Sequence, residues 1–342
     1  MSVLPLTIRS ITQETADTKT FTFEKEAALS YRPGQFLTLV KNTLTQEIRR
    51  QYSFSSHPTL DEYASITVKR IPNGEISRWL FDEVKVGDQL KSLGSFGHFI
   101  LPANVITTNT FLFLAAGSGI TPILSLIKEV LHFHPHASVV LLYSNRSEAS
   151  TIFLKELHQL HLQFTSRFSI EFLWSNAKNL MRARLGKSIL EELAQLYVKD
   201  PLSTHAYVCG PLDYRQMATV TLLAHGIPSD QLHKEVFHTP PARMQQEPPD
   251  KEKHAVIIQL GNQSIELQVQ YPTTILAAAK AKHIDIPYSC EAGRCGACAA
   301  TCTQGKVWMS RNEVLTDREL ELGRVLTCTA YPVSDDVALR IN

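Results

Sequence analysis

The chain has 342 residues, 44% of them hydrophobic, with 34 Lys and Arg against 33 Asp and Glu. That length suggests two or three globular domains, and a net charge of +1 argues against a nucleic-acid or acidic-membrane partner. No apolar run reaches membrane-spanning length: the nearest, 111–127, is broken by Gly117, Ser118, Gly119, Thr121 and Pro122, and the first residues lack a signal-peptide core.

Residues 1–104 alternate with period two between short turns, as in 20–24, 35–40 and 65–70. The pattern predicts an antiparallel β-barrel. Within it lies Arg50-Gln-Tyr52-Ser53-Phe-Ser55. A guanidinium can hold a phosphate bidentately, and a Tyr ring can stack on a flat heterocycle. On a strand, positions 50 and 52 share one face and 53 takes the other. Gly74-Glu-Ile76-Ser77 then reads as a Gly turn opening a short helix. Its first N–H groups and the Ser77 hydroxyl can take a pyrophosphate. Taken as bare motifs, these also fit a plain barrel with a surface Arg and a core Tyr.

R-x-Y-S followed by G-x-x-S resembles the flavin signature of the ferredoxin–NADP reductase superfamily. Gly94-Ser-Phe-Gly97-His-Phe is similar to that family's G-P-F-G-x-F turn, with Ser95 in place of Pro. The resemblance implies FAD rather than FMN. It places Arg50 on the pyrophosphate, Tyr52 against the isoalloxazine and Ser53 near its N5. Val68, Lys69 and Arg70 line the ring edge through their backbone, with Gly74, Ile76 and Ser77 at the phosphates.

Residues 105–238 switch to β/α alternation, predicting an α/β nucleotide-binding domain. The apolar strand 110–116 meets Gly117-Ser-Gly119-Ile-Thr121-Pro122, and 123, 126, 127, 130 and 131 form one helical stripe. Strand, Gly turn and helix N-terminus make a phosphate cradle. It lacks the third Gly of G-x-G-x-x-G, but it resembles the superfamily's own nucleotide loop. Arg146 ends the next strand, where ligands of such sheets lie, and Arg182-Ala-Arg184 resembles a second basic contact. Two cations near the adenosine favour NADPH over NADH. Cys209-Gly210-Pro211 resembles the family site beside the nicotinamide C4, a buried structural thiol being the alternative for Cys209. Glu235-Val-Phe237 resembles the closing E-x-F strand, whose acid lies near the flavin and assists proton movement; an ordinary edge strand is the alternative. His132, His134 and His136, and likewise His158 and His161, read as solvated positions rather than metal ligands, since nothing acidic or thiolate sits beside them.

Residues 239–253 carry four Pro and almost no large apolar side chain, a semi-extended tether. Residues 254–342 read as a β-grasp ferredoxin: a hairpin of 255–260 and 263–269 about Gly261-Asn262, a helix over 274–282, and then the cysteines. Cys290-Glu-Ala-Gly-Arg-Cys295-Gly-Ala-Cys298 with a distant Cys328 is the plant-type [2Fe–2S] spacing. Gly293 and Gly296 allow the dihedrals that turn N–H groups inward. Four core thiols or a zinc site are the alternatives, although zinc sites usually carry paired C-x2-C knuckles and one is present here. The strand 325–328 is expected to return the fourth ligand, and Cys302 to be a packed thiol. With four of six Cys committed, a disulfide framework is not expected and a reducing cytoplasm is.

The order flavin barrel, nucleotide domain, ferredoxin resembles the reductase components of multicomponent oxygenases and hydroxylases. The resemblance implies an NAD(P)H-dependent oxidoreductase that passes electrons through FAD and a [2Fe–2S] cluster to a protein acceptor. An oxygenase or hydroxylase component is the expected acceptor, with a desaturase, a cytochrome P450 or a soluble ferredoxin as alternatives. A redox sensor and a plain iron-binding carrier are further alternatives.

Overall fold

The computed structural model describes residues 3–42, 47–102, 110–178, 183–237, 247–261 and 263–341. They fall into two compact units, one of 3–95 with 99–237, the other of 96–98 with the described residues from 247 onward.

The first unit opens with β1 (Leu4–Thr15), β2 (Thr18–Phe23), β3 (Phe36–Asn42), β4 (Glu47–Ser53), β5 (Ser65–Lys69), α1 (Glu75–Asp82) and β6 (Gln89–Phe96). Their sheet order is β4-β3-β6-β1-β2-β5, and an antiparallel bridge between Phe54 and Ile66 joins its two ends. The barrel expected from the alternating pattern is therefore present. Its core holds Phe21, Phe23, Leu37, Leu39, Phe54 and Ile66, the inward positions of alternating strands.

The same unit continues with β7 (Thr110–Ala116), α2 (Ile120–Phe133), β8 (Ser138–Asn145), α3 (Leu154–Gln163), β9 (Phe168–Trp174), α4 (Lys187–Tyr197), β10 (Thr204–Cys209), α5 (Leu212–Ala224) and β11 (Leu232–Glu235). The parallel sheet runs β11-β10-β7-β8-β9. β7 and β10 are buried along almost their whole length because helices cover both faces of a parallel sheet. The helix expected from 123 starts at 120, with Pro122 in its first turn, where a missing N–H costs nothing. It also differs from the single stripe expected: eleven of its fourteen residues are buried, among them Ser125 and Lys128. The sheet covers one side of α2, and the loop after β4 touches it on another.

The second unit holds β12 (His254–Leu260), β13 (Gln263–Val269), α6 (Ile275–Ala281), β14 (Ala299–Gln304), β15 (Val307–Met309), α7 (Asp317–Glu321), β16 (Arg324–Leu326), β17 (Ala330–Pro332) and β18 (Val337–Ile341). Its main sheet runs β13-β12-β18-β14-β16, with β12 and β18 parallel, and β15 pairs with β17. This is the expected β-grasp. Thr274 caps α6 by accepting the Ala277 N–H at 3.2 Å. The expectations for Asn262, Arg182, residues 239–246 and the boundary at 104/105 lie outside the described residues.

Candidate active site and cluster loop

Ser53 ends β4 with its side chain buried, and its Oγ donates to Glu235 Oε2 at 3.4 Å. Glu235 ends β11, in register with Cys209 at the end of β10. Ser53, Cys209 and Glu235 thus meet at one place, the carboxyl end of the parallel sheet. Glu235 is half-buried, and desolvation pushes its carboxyl up to about 8, against the Ser53 hydrogen bond, which pulls the other way. Burial likewise pushes the Cys209 thiol well above its ordinary value, with the Glu235 charge adding to it. This thiol is therefore neutral and apolar rather than a nucleophile. Phe237, just beyond β11, is 43% exposed and offers a free aromatic face.

Tyr52 is half-buried against the barrel core. Burial raises its phenol, while the charge of Arg50, two residues back on the same face, lowers it. Arg50 is exposed and spends one contact, Nη1 to the Arg49 carbonyl at 2.7 Å. Val68 is wholly buried in the barrel. Lys69 pairs with Asp17 at 3.4 Å. The Arg70 guanidinium is bidentate to Asp82, and its N–H is given to the Asp17 carbonyl at 2.7 Å, so the Arg70 main chain offers only its carbonyl to a ligand.

At the start of α1 the structure changes the reading of two side chains. The Ser77 hydroxyl donates to the Gly74 carbonyl at 3.1 Å and accepts from the Ile71 N–H at 3.3 Å, so it ties the turn. The Ile76 side chain lies in the core. What remains for an anion is the backbone: α1 has no side-chain cap, and its first N–H groups project from the helix end. Gly74 is required for packing, since a Cβ there would lie 2.3 Å from Ser77 Oγ.

The loop from Gly117 to Pro122 is built by close approach. Gly117 adopts φ +55. A Cβ on Gly119 would stand 2.1 Å from the Cys209 carbonyl oxygen, so only Gly lets the loop lie on the end of β10. Thr121 is buried and its hydroxyl donates to the Ser118 carbonyl at 3.0 Å, shaping the loop from within. Tyr143 reaches from β8 to give its hydroxyl to the Gly117 carbonyl at 3.1 Å. In the sequence Tyr143 is one more ring in an apolar strand, and nothing there marks it as a support for the loop. Arg215 Nε holds the Gly210 carbonyl at 3.1 Å, and Pro211 caps α5. Arg146 and Arg184 are both exposed, Arg146 directly beyond β8.

In the second unit the four cysteines form two pairs, Cys290 with Cys295 and Cys298 with Cys328, each within thiol hydrogen-bond reach. The Cys295 contact pulls Cys290 down to about 6, helped by inward N–H groups of Ala292, Arg294 and Cys295. The Ala292 N–H lies 3.4 Å from Cys290 Sγ. Gly293 and Gly296 take φ +72 and +70, as expected, and Glu291 joins them at φ +50, its carboxylate held by Lys280 at 2.9 Å. Among the described residues no three potential ligands surround a single point. Two thiolates at each of two centres fit a binuclear cluster and not a mononuclear zinc site. One expectation is corrected: β16 stops at Leu326, so Cys328 sits in the following turn rather than on a strand. Thr327, fully buried, fixes that turn by giving both its N–H (3.2 Å) and its hydroxyl (3.1 Å) to the Cys298 carbonyl. Cys302 lies on β14 with its thiol on the Gln304 carbonyl at 3.2 Å, a packed thiol as expected.

These features define an NAD(P)H-dependent flavin and iron–sulfur oxidoreductase, and comparison with known proteins agrees. Residues 5–100 match an oxidoreductase FAD-binding domain, 113–221 an oxidoreductase NAD-binding domain and 258–333 a 2Fe-2S iron-sulfur cluster binding domain. The chain is 33% identical to the ferredoxin reductase component of 3-ketosteroid-9-alpha-monooxygenase from Rhodococcus rhodochrous, over 98% of this chain and 95% of that one. It is 32% identical to one of the polypeptides of 1,2-phenylacetyl-CoA epoxidase from Escherichia coli, over 98% and 96%. Phthalate dioxygenase reductase shares its fold, with TM-score 0.60 and 24% identity over 100% of this chain and 98% of that one. The chain belongs to the family of reductase components of oxygenase systems. It takes electrons from NAD(P)H through FAD to a [2Fe–2S] cluster. No helix among the described residues is long and apolar enough to cross a membrane.

Proposed function

We propose that the chain hands its electrons to an oxygenase or hydroxylase component and draws them preferentially from NADPH, in the cytoplasm. Full-length likeness to components of two oxygenase systems supports the acceptor. A soluble ferredoxin, a P450 or a desaturase is the competing acceptor. A sensor or an iron carrier does not need a nicotinamide loop beside a flavin strand, and steady NAD(P)H turnover separates those readings from ours. The domains divide at 1–104, 105–238 and 254–342, with 239–253 as tether.

When bound, FAD takes two electrons from NAD(P)H and the cluster takes them singly, so the protein's task is distance, stacking and proton handling. Arg50, the Val68, Lys69 and Arg70 main chain, and the α1 N-terminus at Gly74, Ile76 and Ser77 hold the flavin, with Tyr52 and Phe237 against its rings. Gly117, Gly119, Thr121, Gly210 and Pro211 shape the nicotinamide loop, and Cys209 packs beside the reacting carbon. Cys290, Cys295, Cys298 and Cys328 hold the cluster. The observation that carries this reading is the meeting of Ser53, Glu235 and Cys209 at one sheet end.

The experiment for the acceptor is turnover with oxygenase components encoded beside this gene. Coupled product formation with one of them, and none with soluble ferredoxins, is expected; the reverse would sink the assignment. For the donor, kcat/KM is expected to favour NADPH over NADH, with Arg146→Ala and Arg184→Ala each eroding the ratio by about 1 kcal/mol, roughly fivefold, as for an exposed charge-assisted contact. An unaltered ratio in both variants would remove the 2′-phosphate role.

Oxidising NAD(P)H by two electrons releases one proton. Glu235, raised to about 8, is mainly protonated at neutral pH, so its minor ionised form would accept that proton, with Ser53 donating to the carboxylate beforehand. The rate of flavin turnover is therefore expected to rise with pH through an inflection near 8, as the carboxyl loses its proton and becomes the acceptor. Glu235→Gln should flatten that inflection. A wild-type profile without it, or one that survives in Glu235→Gln, would exclude Glu235 as the proton carrier.

A further inference from the structure

Helix α2 starts directly after the nucleotide loop, and three of its side chains reach the segment that follows Ser53 at the end of β4. Ser125 Oγ, fully buried, donates to the Ser56 carbonyl at 2.8 Å. Glu129 Oε2 lies 2.5 Å from His57 Nε2. The His57 Nδ1 accepts the N–H groups of Thr59 and Leu60, each at 3.2 Å, so the ring proton sits on Nε2 and is donated to Glu129. His57 is 1% exposed and its ring also lies over Phe133, with centroids 5.5 Å apart. Lys128 Nζ meets both Asp61 oxygens, at 3.1 and 2.8 Å, and Glu156 of α3 at 2.7 Å. Asp61 in turn accepts the His57 N–H at 2.6 Å.

Positions 125, 128 and 129 are spaced i, i+3, i+4, so they form one face of α2. The rest of the buried surface of that helix is almost wholly apolar. A buried polar face is costly unless every member is paired, and here each has a partner on a single stretch, Ser56 to Asp61. The network thus fixes α2 in register against this stretch, which an apolar face alone would let slide. Ser125 lies six residues, about 9 Å of helix, from Gly119. Ser56 lies three residues from Ser53. The contacts therefore join the support of the nucleotide loop to the support of the flavin strand by a short rigid path.

We propose that Ser125, Lys128 and Glu129, clasping Ser56, His57 and Asp61, set the spacing between nicotinamide and flavin, and that Ser125 and His57 are positioning residues for hydride transfer. The proposal rests on the reading of Gly117–Gly119 as the nicotinamide loop and of Ser53 as flavin-facing. Because the clasp acts on alignment and not on binding, its loss should appear in the transfer step.

The test is anaerobic stopped-flow reduction of the full-length holoprotein by NADPH and NADH, with Ser125→Ala, Glu129→Leu and His57→Phe. The rate of flavin bleaching at saturating nucleotide is expected to fall about 10- to 100-fold, the scale of a misplacement approaching 1 Å. The nucleotide KM, the FAD content and the iron–sulfur spectrum should stay unchanged. The long-wavelength flavin–nicotinamide charge-transfer absorbance should weaken in parallel, and Ser125→Thr should restore both. Glu129→Leu keeps roughly the volume and removes the acceptor of the His57 Nε2 proton, so it remains informative where a larger change loses FAD. Full bleaching rates and an intact charge-transfer band in Ser125→Ala and Glu129→Leu overturn the clasp, even if both lower the melting temperature. If Gly119→Ala also leaves bleaching untouched, the nucleotide-loop reading itself fails; if Gly119→Ala is slow while the clasp variants are fast, only the clasp fails.

Discussion

Cys328→Ser is expected to abolish one-electron output while NAD(P)H still bleaches the flavin. Cys328 is the half of the Cys298–Cys328 pair that comes from outside the loop, and it reaches the site only because Thr327 is doubly bonded to the Cys298 carbonyl. A hydroxyl in place of the thiolate leaves one centre with a single sulfur. Loss of even an outer-shell partner costs a metal site roughly 10- to 100-fold, so loss of a ligand should cost at least that. Cytochrome c reduction, corrected for direct flavin leakage, should drop to background, and the visible iron–sulfur absorbance should disappear. The flavin site lies in the other compact unit, so its rate of bleaching by NAD(P)H should match the wild type. Undiminished cytochrome c reduction, with leakage excluded, would mean that electrons do not leave through this cluster.

Gly119→Ala is expected to slow flavin reduction about 100-fold, the scale of a misplacement of about 1 Å at a reacting centre. The added methyl would stand 2.1 Å from the Cys209 carbonyl oxygen and 2.7 Å from its carbon. Both are backbone atoms at the end of a central strand, so no side chain can swing aside. Either the loop lifts off β10 or β10 gives way, and both moves displace the surface we propose for the nicotinamide. Overpacking of this kind also costs about 1–3 kcal/mol of stability. Gly186→Ala is the matching control, because a Cβ there meets nothing within 4 Å. Stopped-flow bleaching at saturating NAD(P)H reads both variants; a normal rate in Gly119→Ala would show that this loop does not set the nicotinamide position.

Ligand-bearing motifs are legible in the sequence when they are short and their chemistry is unambiguous. The spacing of Cys290, Cys295 and Cys298 places three thiols on one loop whatever surrounds it, and Gly293 and Gly296 mark the turns that aim its N–H groups. The apolar strand and Gly-rich turn at 110–119 mark a strand followed by a tight loop in the same way. Legibility falls where a polar group has a choice of partner. Ser77 has the position of a phosphate donor, yet its hydroxyl closes its own turn. The apolar run before Cys328 reads as a strand that carries it, yet β16 ends two residues earlier. Helix α2 shows one apolar stripe in the sequence, but its positions 125 and 128 are buried and 129 is paired with His57, because a helical pattern records which residues are apolar and not what meets the remainder.

By itself, then, the sequence determined the order of modules, the thiols spaced for a cluster and the glycines that let backbone approach backbone, since each of these depends on residue type and spacing along the chain. Only the tertiary structure decided that Ser53 meets Glu235 across 182 residues, and that His57 and Ser125 are buried in a polar seam. Burial and long-range pairing set the protonation and orientation of those groups. Both arise from which surfaces the fold presses together, which no local stretch of residues encodes.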